Sequence, residues 1–171
     1  AGVLLESKAE TIFRAPALTA TVLILAGIAL WVADRFAPQR ETLERLTWRH
    51  ALLLGLGQAL AIIPGVSRSG ATIALGRSLA LTREAAARFS FLMSAPIMLG
   101  AGLKQLSSLR HETLTTHQRL DFLIGMVVAG VVGYIAIRVL LQYISRHSYT
   151  VFVLYRIALG TAVLITIAIT Q

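Results

Sequence analysis

The 171-residue sequence contains no cysteine, so disulfide bonds and thiolate metal sites are excluded. Charged residues are scarce as well, at 14% of the chain, where soluble domains carry about a quarter. With a hydrophobic share of 56%, the chain has more apolar surface than a soluble core of this length can bury. We therefore predict an all-α, polytopic integral membrane protein.

The charge that is present is mainly arginine, and the net charge is +8. Most arginines lie between apolar runs, where they are typical of anchors at anionic lipid head groups. No basic face with interleaved aromatic residues is present, so no nucleic-acid partner is expected. The positive-inside rule places the more basic set of connections in the cytoplasm. That set is Arg35, Arg40, Arg45, Arg49, Arg83, Arg88 and Arg146, against Lys8, Arg14, Lys104, Arg110 and Arg119 on the other face.

Four apolar runs are long enough to cross a bilayer as helices, which takes about 20 residues. They cover residues 17–33, 86–103, 120–142 and 151–170. We expect residues 34–50 to form a loop with a short amphipathic surface helix, and residues 104–119 and 143–150 to be polar connections. Thr82 is expected to cap the second of these helices. Residues 1–171 are assigned to a single transmembrane domain.

Residues 51–81 contain two shorter apolar runs, Ala51–Ile63 and Ala71–Leu81, on either side of PGVSRSG. As helices they would be about 20 Å and about 16 Å long, so neither crosses the hydrocarbon alone. Pro64 and Gly65 interrupt any continuous helix. The pattern predicts a re-entrant helical hairpin carrying PGVSRSGAT. Its non-helical tip is tolerated at depth only where it is buried in protein or lines a wet cavity.

Arg68 lies at the predicted tip, and a guanidinium near the bilayer centre costs about 2.5–3.5 kcal/mol even on a lenient scale. We interpret Arg68 as the binding group for an anion. The alternative is a structural arginine that bonds carbonyl groups of neighbouring helices. Arg77, Arg138 and Arg156 also lie in apolar runs, but close enough to an end for their side chains to extend to the membrane surface, and we expect structural roles for them.

The residues around Arg68 favour phosphate as the anion. Gly65 and Gly70 allow close approach of the backbone, and the outgoing limb directs its free amide groups and positive dipole end at the tip. Hydroxyl groups add donors whose number suits the oxygens of a phosphate better than those of a carboxylate. These hydroxyl donors are Ser67, Ser69 and Thr72. Gln58 on the ingoing limb either donates to the ligand or joins two helices.

No carboxylate accompanies these donors, because all eight acidic residues lie in connections or at the ends of apolar runs. Hydrolysis of a phosphoanhydride usually needs a general base, an activated nucleophile or a metal held by carboxylates. The histidines offer no metal-ligand spacing either; they are His50, His111, His117 and His147. The chain is therefore expected to hold half an active site, without metal ligands of its own.

The chain resembles the C-terminal part of the undecaprenyl-diphosphate phosphatase family, the bacitracin-resistance proteins, in GLGQALAIIPGVSRSGATIALG, AARFSFLMSAPIMLGAG and YRIALG. The family's PGxSRSxxT signature is matched by Pro64, Gly65, Ser67, Arg68, Ser69 and Thr72. Members also carry an earlier half, with a glutamate-rich signature and a Ser-Ser-x-Gly-His loop, and neither element is in this sequence. The resemblance implies that the chain is the later part of a longer fold built as an inverted repeat.

The resemblance also implies an activity, the hydrolysis of undecaprenyl diphosphate to undecaprenyl phosphate and inorganic phosphate, which recycles the lipid carrier for peptidoglycan synthesis. Arg68 would bind the diphosphate and act in catalysis with Ser67 and Ser69, while Thr72 donates and Gln58 lies nearby. The attacking group is left open between a serine hydroxyl, the absent histidine and water.

Cofactor, partners and location follow from the same resemblance. It implies a divalent cation, Mg²⁺ or Ca²⁺, whose ligands lie outside this chain. The implied partners are a polyprenyl diphosphate lipid, the bilayer and the missing N-terminal half, and a homodimer is left open. The expected location is the bacterial inner membrane, with the site opening to the periplasmic side.

Two other functions are alternatives. A transporter or flippase of anionic lipid carriers would use the same hairpin and midplane anion site, but needs no carboxylate-bearing loop facing Arg68. The broader lipid-phosphatase superfamily with paired histidines shares a Ser-Arg dipeptide, but its Ser-Gly-His element is missing here. We therefore expect a lipid-diphosphate phosphatase whose residues 1–171 are inactive alone.

Overall fold

A computed structural model describes residues 16–109 and 115–170, and within those ranges the chain forms helices and no strand. The helices are α1 (Pro16–Phe36), α2 (Trp48–Ala59), α3 (Arg68–Ser78), α4 (Arg83–Leu109), α5 (Thr116–Arg146) and α6 (Thr150–Thr170). The all-α prediction is confirmed. Of the residues used for orientation and metal spacing, Lys8, Arg14, Arg110 and His111 lie outside the described ranges.

Four of these helices, α1, α4, α5 and α6, are long and apolar enough to cross a membrane, which confirms the predicted number of spans. The helices α4 and α5 run further than their apolar runs, because polar residues extend a helix beyond the hydrocarbon. Most of the expected connections 104–119 and 143–150 are therefore helical where they are described. Thr82 caps α4 as expected, since its Oγ1 accepts from the amide of Ala85 at 3.2 Å.

The surface helix expected in residues 34–50 is not formed. Only a 3₁₀ turn at Leu43–Arg45 interrupts this connection, and α2 then begins at Trp48 with Thr47 as its cap. The side-chain oxygen of Thr47 accepts from the amide of His50. The cap explains the boundary: Thr47 satisfies an amide of the first turn, and the apolar residues after it belong to the hairpin.

The hairpin consists of α2 and α3, which pack against each other on either side of a short turn. They are about 18 Å and about 16 Å long. The connection between α1 and α2 closes the base of the hairpin: the amides of Arg40 and Glu41 donate to the carbonyl of Ala80 at 2.9 and 3.0 Å. The tip lies against Leu23 of α1, about 20 Å before the end of that helix. Entry and return at one membrane face, and the inverted repeat, stay predictions.

Arg77, near the end of α3, is fully buried, so the expectation that it extends to the membrane surface is wrong. Its Nε donates to Oδ1 of Asp34 at 3.1 Å. Its Nη1 and Nη2 donate to backbone carbonyl groups of the neighbouring segments, those of Asp34, Ala37, Pro38 and Leu81. Every side-chain nitrogen is therefore satisfied inside the protein, as a buried guanidinium requires.

Asp34 joins four helices at this end of the bundle. Besides Arg77, its carboxylate accepts from Nε of Arg83 at 2.7 Å and from the amide of Tyr149 at 3.2 Å. The hydroxyl of Tyr149 donates to the carbonyl of Arg83 at 2.8 Å. Burial and the nearby Asp34 carboxylate raise the pKa of Tyr149, so this donor keeps its proton. The contacts of Asp34 therefore bring together, at one end of the bundle, the end of α1, the end of α3 and the starts of α4 and α6.

Replacing Arg77 by methionine is expected to lower the free energy of unfolding by about 3–5 kcal/mol, because it leaves the buried Asp34 carboxylate with one partner fewer. The measurement is reversible unfolding of the purified protein in detergent. Arg88→Met is the matched control. Its ion pair with Glu84 is exposed, so the expected change is below about 1 kcal/mol. Equal effects of the two substitutions would contradict the structural role of Arg77.

Candidate anion-binding site

The tip of the hairpin places two serine hydroxyl groups at the start of α3. Ser67 is the cap of that helix: its Oγ accepts from the amide of Gly70 at 3.2 Å. The two hydroxyl oxygens of Ser67 and Ser69 are 3.1 Å apart. The chain reaches this cap through Gly65, whose φ of +93° lies in the left-handed region that favours glycine. The sequence Pro-Gly-Val-Ser thus makes the turn and starts the helix.

Two backbone amides at the tip have no acceptor within the helix. The first helical hydrogen bond runs from the amide of Ala71 to the carbonyl of Ser67, at 2.8 Å. The amides of Arg68 and Ser69 precede it, so they remain available to a ligand. Together with the positive end of the helix dipole, they make the start of α3 favourable for an anion.

The Arg68 side chain is exposed and makes no hydrogen bond or ion pair with any described residue. It lines a cavity of about 540 Å³, together with Ser67 and Ser69. The other lining residues come from α4 and α5, and they are Phe91, Ser94, Ala95, Met98 and Ile137. An arginine that is free of protein partners and faces a cavity is the arrangement that anion binding needs.

A second cavity, of about 250 Å³, adjoins the same serines. Ser67 and Ser69 line both cavities, as does Phe91. Most of the remaining wall is apolar; it is formed by Leu23, Leu30, Ile73, Ala87, Leu140, Ile144, Phe152 and the rings of Tyr149 and Tyr155. The serine hydroxyl groups therefore stand between a cavity that holds a free guanidinium and one that suits an apolar chain.

Arg156 of α6 reaches the tip, so the expectation that it extends to the membrane surface is wrong. Its Nη2 donates to the carbonyl of Gly65 at 3.0 Å, and its Nε donates to the carbonyl of Leu23 at 3.3 Å. The residue is buried and lines the smaller cavity. The expected structural role is thus found, but at the tip of the hairpin, and nothing in the sequence indicated these two backbone partners.

Gly65 and Gly70 lie where protein atoms leave no room for a side chain. A Cβ atom at Gly65 would collide with the carbonyl of Thr19 in α1, and one at Gly70 would lie 2.6 Å from Nη1 of Arg156. Their absence lets α1 and the Arg156 guanidinium pack against the tip. Close approach of a ligand at these glycines stays a prediction.

Thr72 and Gln58 lie behind the tip rather than along the cavities. Thr72 is fully buried, and its hydroxyl donates to the carbonyl of Arg68 at 2.9 Å. The same hydroxyl lies 3.4 Å from Oε1 of Gln58 on the other limb. The structure thus brings both residues together as a link between the two limbs, and direct ligand contact by either stays a prediction.

The residues present do not fit a divalent cation. Such ions take oxygen ligands, chiefly carboxylates, and the cavity that Arg68 lines has neither a carboxylate nor an imidazole among its lining residues. In the described part of the chain, no three His, Cys, Asp or Glu side chains lie close enough to hold a metal. The positive charge of Arg68 would also oppose a cation there.

Residues 1–162 match the family model described as bacitracin resistance protein BacA. An undecaprenyl-diphosphatase of Moorella thermoacetica is 49% identical over 95% of this chain and 60% of its own length. Undecaprenyl-diphosphatases of Gemmatimonas aurantiaca and Pelotomaculum thermopropionicum are 46% and 45% identical, over 98% and 99% of this chain and 61% and 63% of their own lengths. The chain thus spans about 60% of the length of these curated relatives.

Replacing Arg156 by leucine is expected to loosen the tip, because the carbonyl groups of Gly65 and Leu23 lose their donor. Hydrogen exchange at the hydrogen-bonded amides of Ile63, Val66, Gly70 and Ala71 should become about tenfold faster. Arg138→Leu removes the same charge from a span without touching the tip and serves as the control. Unchanged exchange in the Arg156 variant, or an equal rise in the control, would contradict the assignment.

Proposed function

The chain belongs to the bacitracin resistance protein BacA family, and from that membership we propose that it forms the phosphate-binding part of an enzyme that hydrolyses undecaprenyl diphosphate. The products are undecaprenyl phosphate and inorganic phosphate. The relatives that carry the name undecaprenyl-diphosphatase support this proposal. One observation carries it above all: the unpartnered Arg68 guanidinium beside two serine hydroxyl groups and the open start of a helix.

Arg68 is proposed to bind the diphosphate through its planar fork, which can serve two oxygens at once. Phosphoryl transfer places negative charge on the oxygens of the transferred group, so a positioned cation lowers the barrier. Neutral donors are added by the free amides of Arg68 and Ser69 and by the hydroxyl groups of Ser67 and Ser69. These groups bind and orient the phosphates, and the attacking group is left open.

The smaller cavity supports a lipid substrate in particular. Its wall is mainly apolar, and Ser67, Ser69 and Arg156 add polar groups to it. A molecule with an isoprenoid chain and a diphosphate head likewise combines a long apolar part with a polar group. We propose that the isoprenoid units nearest the diphosphate enter this cavity, while the diphosphate head group reaches Arg68.

The general base and the ligands of a divalent cation are proposed to come from the part of the family's fold that this chain does not include. The chain spans about 60% of its curated relatives, and the cavity at Arg68 offers no metal ligands of its own. When bound, Mg²⁺ or Ca²⁺ would screen phosphate charge.

The protein is proposed to lie in the bacterial inner membrane with its site open to the periplasmic side.

A transporter or flippase of anionic lipid carriers is the competing proposal. It is favoured by the absence of a carboxylate among the residues that line the cavity at Arg68, since translocation of a head group needs no general base. Measuring phosphate release and transbilayer movement of the lipid in the same proteoliposomes separates the two. The phosphatase proposal expects phosphate release in proportion to protein, and lipid movement without phosphate release would refute it.

In the complete protein, replacing Arg68 by alanine is expected to lower kcat by about 10²–10³-fold, because it removes the cation from the developing phosphoryl charge. Arg68→Lys should recover only part of the activity, since it keeps the charge but loses the fork. Arg119→Ala removes an exposed arginine from α5 and should leave turnover within about twofold. Near-normal phosphate release by a folded Arg68→Ala protein would refute the role.

Residues 1–171 by themselves are expected to release no phosphate above background, because the described part of the chain brings no base or metal ligand to Arg68. Binding of a non-hydrolysable polyprenyl diphosphonate should nevertheless be measurable and should be lost in Arg68→Ala. Robust hydrolysis by residues 1–171 would show that the catalytic groups have been assigned to the wrong part of the fold.

A further inference from the structure

A polar notch lies between the start of α4 and the last turns of α5. It has a volume of about 290 Å³ and is lined by Glu84, Arg88, Arg138, Leu141, Gln142 and Ser145. The notch shares no lining residue with the cavity that Arg68 lines, which on these two helices is formed by later residues of α4 and by Ile137 of α5. The notch therefore has no part in the proposed hydrolysis.

Arg138 is the unusual residue of this notch. It belongs to the 30-residue apolar stretch of α5, its side chain is exposed, and it makes no hydrogen bond or ion pair with any described residue. Ionisable side chains in membrane spans are costly and normally pair with something. An exposed cation at this position calls for an anion from the surroundings.

The charges of the notch leave one positive charge to be neutralised. Nη2 of Arg88 is 2.8 Å from Oε1 of Glu84, so these two side chains neutralise each other. Arg138 then stands as the excess cation. The side-chain amide of Gln142 has no protein partner among the described residues and offers two further hydrogens. A cation flanked by neutral donors suits a singly charged phosphodiester.

The position along α5 fits the head-group level of a bilayer. Arg138 precedes the last residue of the helix by eight positions, which is about 12 Å. Gln142 and Ser145 lie one and two turns nearer to that end. The long side chain of Arg138 can therefore extend along these residues toward the interface, as arginines near helix ends do.

We propose that the α4–α5 notch binds the head group of an anionic phospholipid, with Arg138 on the phosphodiester and Gln142 as a second donor. Basic pockets between membrane helices are the usual sites for such lipids. A head group with a net negative charge neutralises Arg138 without adding a cation of its own, which favours phosphatidylglycerol over phosphatidylcholine. This inference does not depend on the reaction at Arg68.

The test is lipid-dependent thermal stability of the delipidated protein in detergent, with titrations of phosphatidylglycerol and of phosphatidylcholine. Phosphatidylglycerol should raise the midpoint of unfolding in a saturable way, and phosphatidylcholine should not. Arg138→Gln is expected to weaken the apparent affinity about fivefold, the effect of one cation near an anionic lipid. Arg138→Lys should stay close to the unsubstituted protein. Arg119→Gln, which removes a charge elsewhere on α5, is the matched control.

Each alternative result would overturn the proposal. Equal responses to the two lipids, an unchanged affinity in Arg138→Gln, or an equal loss in Arg119→Gln would show that the notch does not select an anionic head group. A midpoint rise of the same size with inorganic phosphate would assign the notch to free phosphate. If Arg138→Gln does not fold, Gln142→Ala replaces it: its affinity should fall about threefold, and no change there would be equally decisive.

Discussion

Backbone carbonyl groups at the tip of the hairpin need hydrogen-bond donors, and Arg156 supplies them. A turn of irregular backbone between two short helices is tolerated deep in an apolar protein only if its polar groups find partners inside the molecule. The Arg156 guanidinium meets that demand by bonding the carbonyl groups of Gly65 and Leu23, which fixes the tip against α1. This contact therefore also positions the start of α3, which carries the open amides and the serine hydroxyl groups.

Three arginines of the hairpin region have the same charge but different surroundings. Arg77 is saturated by Asp34 and backbone carbonyl groups at the base, and Arg156 is bound to backbone at the tip. Arg68 alone among the three has no described protein partner. Two guanidinium groups hold the hairpin at its ends, and the third is left for a ligand. The three residues are of the same type, and they differ in role because their hydrogen-bond partners differ.

Hydropathy was sufficient to predict the number of spans. The short apolar runs on either side of Pro64 were sufficient to predict two short helices packed as a pair, because run length and helix breakers act locally. Ser67 and Ser69 were recognised from the sequence as hydroxyl donors at the tip, but the helix cap formed by Ser67 was not predicted. The partners of Arg77 and Arg156 were not predicted either, since each arginine bonds a residue more than 40 positions away. The surface helix expected within residues 34–50 is not formed, because Arg40 and Glu41 of this connection bond to Ala80 instead.

The contact between Arg156 and Gly65 joins residues 91 positions apart, and that separation has a consequence for biosynthesis. A ribosome delivers Gly65 to the translocation machinery long before it delivers Arg156, at about 5–20 residues per second. Throughout that interval the nascent turn lacks its donor, so chaperoning groups or water must satisfy its carbonyl oxygens. The pocket can be completed only after α6 has been made, so the site matures later than the hairpin that carries its serine residues.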